Sequence, residues 1–268
     1  MMEEELIIAP ELKQRYFIHL AYDGTGYCGW QMQNNGDTVQ ARLNNALSQL
    51  LNERITSMGC GRTDAGVHAS SFYVHFDTDK PLPSRCEDRI NSLLPKDIEV
   101  FRIFAVDNKA HTRFHATSRT YEYYMHFHKS PFLRAYSTHV HYRDTDWEKV
   151  FAATAMLTSF QDFTSLCRPS EDFKTNICNL SEARWDSIKR PPFAGKTEDE
   201  FMRFTISSNR FLRGMVRKIV GTLMLVGNGK VSVEEFYDVV SQQKEFKKTS
   251  LAPPQGLYLT DIKYPFID

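Results

Sequence analysis

The sequence predicts an α+β protein made of two similar halves, each a mainly antiparallel sheet with helices on one face. Three observations lead there. Short runs of period two alternate with stripes of period 3.6 in the order β-α-β-β-α-β over about the first 105 residues. The remaining residues repeat that kind of order. No low-complexity stretch or long linker separates the two, so they are expected to pack as one body, with the boundary placed between residues 108 and 109.

The elements follow from local pattern. Arg15 to Tyr22 alternates as a strand. Thr38 then opens a helix whose stripe is Val39, Leu43, Leu47, Leu50 and Leu51. A strand is expected near Ile55 to Met58, and another where Phe72, Val74 and Phe76 alternate with Tyr73 and His75, the period of a half-buried strand. Ser84 and Glu87 have capping-box spacing ahead of a short helix that Pro95 ends, and Glu99 to Ala105 reads as a strand. In the second half a strand at Thr120 to Phe127 precedes a helix over Trp147 to Leu157, with Thr145 and Glu148 as a second capping box. Strands near Ile177 to Ile188 and Phe201 to Ser207 come before a helix over Phe211 to Val226 that Gly227 ends. Ser232 to Glu235 caps one more helix, and Gly256 to Ile262 closes as a strand.

Composition bounds the function. Of 268 residues, 41% are hydrophobic, enough for a substantial core. Lys plus Arg and Asp plus Glu both number 33, so net charge is zero, and the total alone gives no sign of a nucleic-acid partner. The distribution does. Lys109 to Arg143 holds six basic residues and one acid, Glu122, with six of the nine histidines; Met202 to Lys230 holds six basic residues and no acid. The compensating acids sit in runs such as Glu3 to Glu5 and Glu198 to Glu200. Two basic segments rich in Tyr, Phe and Arg suit phosphate contact and base stacking, although a solvated face has the same composition. The acidic N-terminus lacks the pattern of a signal peptide, no apolar run reaches the length of a membrane span, and five scattered cysteines form no C-x-x-C pair; a reduced cytoplasmic protein is expected.

Several motifs fail on inspection. Gly24-Thr25-Gly26-Tyr27-Cys28-Gly29 is a literal G-x-G-x-x-G after a strand, but it runs into the Asn34-Asn35-Gly36 turn instead of a helix, and the acid at the right distance, Glu53, closes a helix. Gly195-Lys196-Thr197 mimics the end of a phosphate-binding loop, yet the required upstream glycine is Arg190. His111 with His115, His126 with His128, and His139 with His141 form pairs only, where a metal needs three or four ligands. Neither a metal nor a nucleotide cofactor is expected.

One loop stands apart. Gly61-Arg62-Thr63-Asp64-Ala65-Gly66-Val67-His68 lies between two strands, with glycines that permit close backbone approach, so it can hold Asp64 exposed and fixed. Arg62 can pair with that carboxylate or take a phosphate; an ordinary Asx turn explains the same residues. The whole set of blocks, however, resembles the TruA family of tRNA pseudouridine synthases. GRTDAGVHA (Gly61 to Ala69) is similar to the family's catalytic loop, YDGTGYCGWQ (Tyr22 to Gln31) to its N-terminal block, and FHATSRTYEY (Phe114 to Tyr123) to the segment with the active-site tyrosine. DFTS (Asp162 to Ser165), FLRGMVRKIVG (Phe211 to Gly221) and APPQGLYL (Ala252 to Leu259) complete the order over nearly the whole chain. Met32, Gly214 and the pair Leu166-Cys167 depart from common family residues, none at a catalytic position.

The resemblance implies a pseudouridine synthase fold with the active-site cleft between the halves. It implies Asp64 as nucleophile, Tyr121 as the active-site tyrosine and Arg213 as the helix arginine, with Arg62, His68, Arg119 and Arg217 beside them as substrate contacts. It also implies a tRNA substrate modified at positions 38 to 40 of the anticodon stem-loop, a homodimer, and chemistry without a cofactor. A second reading, a tRNA-binding chaperone, shares the RNA contacts but has no need of an acid in that loop.

Overall fold

The computed structural model describes residues 13–34, 36–140, 145–169, 175–189 and 201–267. The acidic runs Glu3 to Glu5 and Glu198 to Glu200, residues Asn35, His141, Arg143 and Arg190, and the Gly195-Lys196-Thr197 motif lie outside them.

Nine strands and five α-helices occur among those residues, in the expected order except for the unexpected two-residue β6: β1 (Gln14–Tyr22), α1 (Val39–Leu51), β2 (Met58–Gly59), β3 (His68–Thr78), α2 (Cys86–Leu93), β4 (Ile98–Ala105), β5 (Ser118–His126), β6 (Thr138–His139), α3 (Trp147–Met156), β7 (Leu180–Ile188), β8 (Phe201–Ser208), α4 (Met215–Gly227), α5 (Val233–Ser241) and β9 (Leu257–Lys263). The strands form one sheet in the order β4-β1-β3-β9-β5-β8-β7, with β2 on β3 and β6 on β5. Along the main path all pairings are antiparallel but one: β3 and β9 run parallel over only two residue pairs, His68 opposite Tyr258 and Ala69 opposite Leu259. That short seam joins strands from the two ends of the chain. It begins two residues after the Gly61–Gly66 loop.

Local physics explains most boundaries. The Thr38 hydroxyl accepts the Ala41 amide and Ser232 accepts the Glu235 amide, so α1 and α5 start where their caps predict. Two capping boxes do not form. Ser84 is not the cap of α2, because Arg85 takes that place at φ 53° and Glu87 instead accepts the Ile103 amide of β4. At α3 the cap is Asp146, while the Thr145 hydroxyl reaches Asn228. The expected strand at Ile55 to Met58 shrinks to the two residues of β2. α4 begins at Met215 rather than Phe211, because Gly214 sits in the left-handed region at φ 64° and stops the helix from extending backward.

The core is continuous across the seam: Phe17, Ile18, Leu20, Phe72, Val74 and Phe76 belong to the same buried cluster as Tyr123, Phe204, Leu259 and the α4 stripe Met215, Ile219 and Leu223. β3 departs from the half-buried pattern expected of it. Its Phe72 to Phe76 run is buried on both faces, since Tyr264 lies edge-on to Tyr73 and Phe17, and Thr112 covers His75.

His75 has Nδ1 2.8 Å from the Thr112 hydroxyl, and burial, then the charges of Arg15 and His111, holds its imidazole down at about 4. The unfolded chain binds a proton at that site below a pH of about 6.5, so between 6.5 and 4 the unfolded state holds more protons than the folded one. The thermal midpoint should therefore be insensitive to this group above pH 6.5 and fall as pH drops toward 4. His75→Gln should flatten that slope, as read by circular-dichroism melts across the range.

Candidate active site

The Asp64 loop is shaped by the segment that precedes it in the chain. The Gly24 amide reaches His68 Nδ1 at 3.1 Å, the Gly66 amide donates to the Tyr27 carbonyl and the Trp30 amide to the Thr63 carbonyl, each at 3.3 Å. A Cβ on Gly24 would stand 2.0 Å from the Val67 carbonyl oxygen, and one on Gly29, at φ 90°, 2.4 Å from that of Thr63. Those glycines are there because the Asp64 loop lies directly on their backbone, which is the physical use of the run that resembled a dinucleotide motif. Thr63 turns inward and bonds the buried Tyr22 hydroxyl at 2.8 Å, so its neighbour Asp64 turns outward. The Val67 amide donates to the Asp64 carbonyl and tightens the turn.

The opposite wall comes from the C-terminal part of the chain. Arg217, in the first turn of α4, donates through Nη1 to Asp64 Oδ2 at 2.9 Å and through Nε to the Ala252 carbonyl at 2.7 Å. The Ala252 amide in turn donates to the Arg217 carbonyl, so the APPQG block clamps the arginine at main chain and side chain together. Pro254 of that block touches Gly66, where a Cβ would come within 3.0 Å of the proline ring. Asp64 keeps 31% of its side-chain surface open and Arg217 only 13%. No donor among the described residues reaches Asp64 Oδ1.

Tyr121, in the middle of β5, completes the floor. Its ring is 8% exposed and lies edge-on to Phe211 at 5.0 Å between centroids. Its hydroxyl takes no hydrogen bond among the described residues. Burial first, then Cys60 and Asp64, push the phenol above its ordinary range, so it stays protonated at neutral pH. Cys60 beside it is buried and pushed up to about 12, an inert thiol.

The structure brings some of the expected residues together and sends others elsewhere. Arg213 is exposed and precedes α4, since the helix starts two residues after it; the guanidinium on Asp64 is that of Arg217, one helical turn further on. Arg119 is an internal brace: its two Nη groups donate to the carbonyls of Arg113, Asn209 and Cys60 at 2.6, 2.7 and 3.0 Å. This occupies the donors that a phosphate would need. His68 is 2% exposed, with Nε2 3.0 Å from the Ala135 carbonyl, and burial lowers its pKa although Asp23 opposes this. It is a neutral strut across the seam, stacked on Tyr258 at 4.6 Å, and presents no surface to a substrate. Arg62 stays exposed at the lip of the loop. Each basic segment brings one residue beside Asp64, Tyr121 from the first and Arg217 from the second, while Arg203 of the second pairs with Glu122 and Asp186.

A half-exposed carboxylate held by a guanidinium beside a buried aromatic is an arrangement suited to an enzyme's acid group. Among the described residues no three His, Cys, Asp or Glu side chains are grouped to hold a metal, and no helix is long and apolar enough to cross a membrane. A family profile described as tRNA pseudouridine synthase matches residues 153–265. The chain is 47% identical to tRNA pseudouridine synthase A of Bacteroides thetaiotaomicron, over 94% of this chain and 91% of that one. It is 45% identical to the synthase of the same name from Bacteroides fragilis (94% and 97% covered) and 36% identical to that of Neisseria meningitidis (94% and 93%). The chain belongs to the tRNA pseudouridine synthase A family, isomerases that convert uridine to pseudouridine in tRNA.

Three substitutions test this geometry. Arg217→Ala should lower kcat by about a hundredfold, because the carboxylate loses its partner, whereas Arg213→Ala should leave kcat within about twofold; steady-state kinetics on a tRNA transcript reads both. Gly24→Ala should lower activity by about the same factor as Arg217→Ala, with the circular-dichroism spectrum retained, because the new methyl must displace the Val67 carbonyl and with it the Asp64 loop.

Proposed function

We propose that the chain isomerises uridines at positions 38 to 40 of the tRNA anticodon stem-loop, with Asp64 as the nucleophile. The observation that carries this reading is the 2.9 Å ion pair between Asp64 and Arg217, with the uncommitted Tyr121 phenol alongside. The target uridine turns out of its stack at a cost of a few kcal/mol, offset by stacking on Tyr121 and by phosphate contacts along the basic segments. Asp64 acts at the sugar as the N1 to C1′ bond breaks. The freed uracil turns so that C5 faces C1′, the C5 to C1′ bond forms, the C5 proton leaves and N1 takes one up. Atoms balance with no redox change, so the protein's own side chains suffice. The Tyr121 ring stacks on and orients the base, and its hydroxyl or a water takes the C5 proton.

In this reading the N-terminal half, to residue 108, supplies Asp64, and the remainder supplies Tyr121 and Arg217. The working unit is a cytoplasmic homodimer that holds one tRNA across both copies; the resemblance to the TruA family supports this. Arg62, exposed beside Asp64, meets the RNA directly.

Incubation with C5-tritiated anticodon stem-loop RNA should release tritium from wild type and none from Asp64→Asn, while filter binding of the two remains within about threefold. Equal release from both, or release by neither, rules the enzyme reading out and leaves the tRNA chaperone.

A further inference from the structure

The segment between β4 and β5 presents an aromatic side chain that the fold does not need. Phe114 is 73% exposed, the most of any large hydrophobic side chain among the described residues, and it is held firmly in that position. His111 Nδ1 accepts the Arg113 amide at 3.1 Å and the Phe114 amide at 3.4 Å, which requires that nitrogen to be unprotonated. The His111 ring lies 4.3 Å from the Phe114 ring, and the His111 amide donates to His115 Nδ1 at 3.2 Å. The Arg113 guanidinium sits 5.8 Å from the Phe114 ring centre.

This turn is fastened to the active site itself. Arg119 Nη2 donates both to the Arg113 carbonyl, at 2.6 Å, and to the carbonyl of Cys60, the residue that leads into the Asp64 loop. One guanidinium nitrogen thus fixes the place of Phe114 relative to the floor of the cleft. A phenylalanine in ordinary surface loops is either buried or free to move; this one is exposed, braced by the His111 ring and flanked by the Arg113 guanidinium. A flat apolar ring with an adjacent cation is the surface on which a nucleobase stacks while its phosphate is neutralised.

We propose that Phe114 is a stacking platform for a nucleobase that flanks the target uridine, replacing the stack this neighbour loses when the uridine turns out. The inference rests on the tRNA synthase reading and extends it to a positioning residue outside the catalytic group. Phe114 acts on the binding of RNA and on its register over Asp64, while bond making stays with Asp64 and its partners.

The test uses the full chain and an unmodified anticodon stem-loop RNA. Phe114→Leu should raise KM by about tenfold with kcat within about twofold, and Phe114→Trp should restore KM to near wild type. Binding is measured separately in an Asp64→Asn background, by filter retention of the same RNA and of RNAs carrying an abasic site on the 5′ or the 3′ side of the target. At one of these two positions the affinity difference between Phe114 and Phe114→Leu should vanish, because the stacking partner is gone. If the difference survives at both abasic positions, or Phe114→Trp is as defective as Phe114→Leu, or Phe114→Leu leaves KM unchanged while wild type is active, the platform is overturned. Wild type that neither binds nor modifies the RNA overturns the synthase reading instead, and the platform with it.

Discussion

The bond between Asp64 and Arg217 depends on nearly everything else in the structure. Its two residues are 153 positions apart in sequence, one in a loop of the N-terminal region and one in the first turn of a helix near the other end. A buried or half-buried ion pair is stabilising only if both partners arrive with their remaining polar needs met. Here the arginine does so through the Ala252 carbonyl, and the carboxylate keeps an oxygen open to the cleft. The pair is thus organised to present charge to a ligand more than to hold the fold together.

The seam explains how such a pair is positioned with little freedom. β3 and β9 share only two residue pairs, a weak junction by itself. His68 reinforces it by touching Gly24, Ala135 and Tyr258 at once, and Pro254 packs against Gly66 on the other side of the turn. The loop that carries Asp64 is thereby gripped by both parts of the sheet. Rigid support of this kind keeps the Asp64 carboxylate in one place while a ligand moves beside it.

Much of the architecture was legible in local sequence. The helix caps at Thr38 and Ser232 and the stripe of α1 each depend on residues within a few positions of one another, and each appears as expected. The capping boxes at Ser84 and Thr145 fail for the opposite reason: the side chains they needed find partners far away, Ile103 for Glu87 and Asn228 for Thr145. Likewise β3 is buried on both faces only because the C-terminal Tyr264 returns to cover it. In the site, Asp64 and Tyr121 stood out through a family resemblance, and they meet in the structure. Between Arg213 and Arg217 the choice turned on the left-handed Gly214, a single backbone conformation that hydrophobic periodicity does not register.

The sequence by itself determined the order of the elements, the loop that exposes an acid between glycines, and the family to which its blocks are similar, because all three are carried by residues close together along the chain. Tertiary structure alone decided which arginine holds Asp64, that Arg119 and His68 are internal braces, and that Tyr121 and Arg217, one from each basic segment, stand beside Asp64. Those outcomes are set by carbonyls, rings and backbone angles that come together only when strands from both ends of the chain meet at the seam.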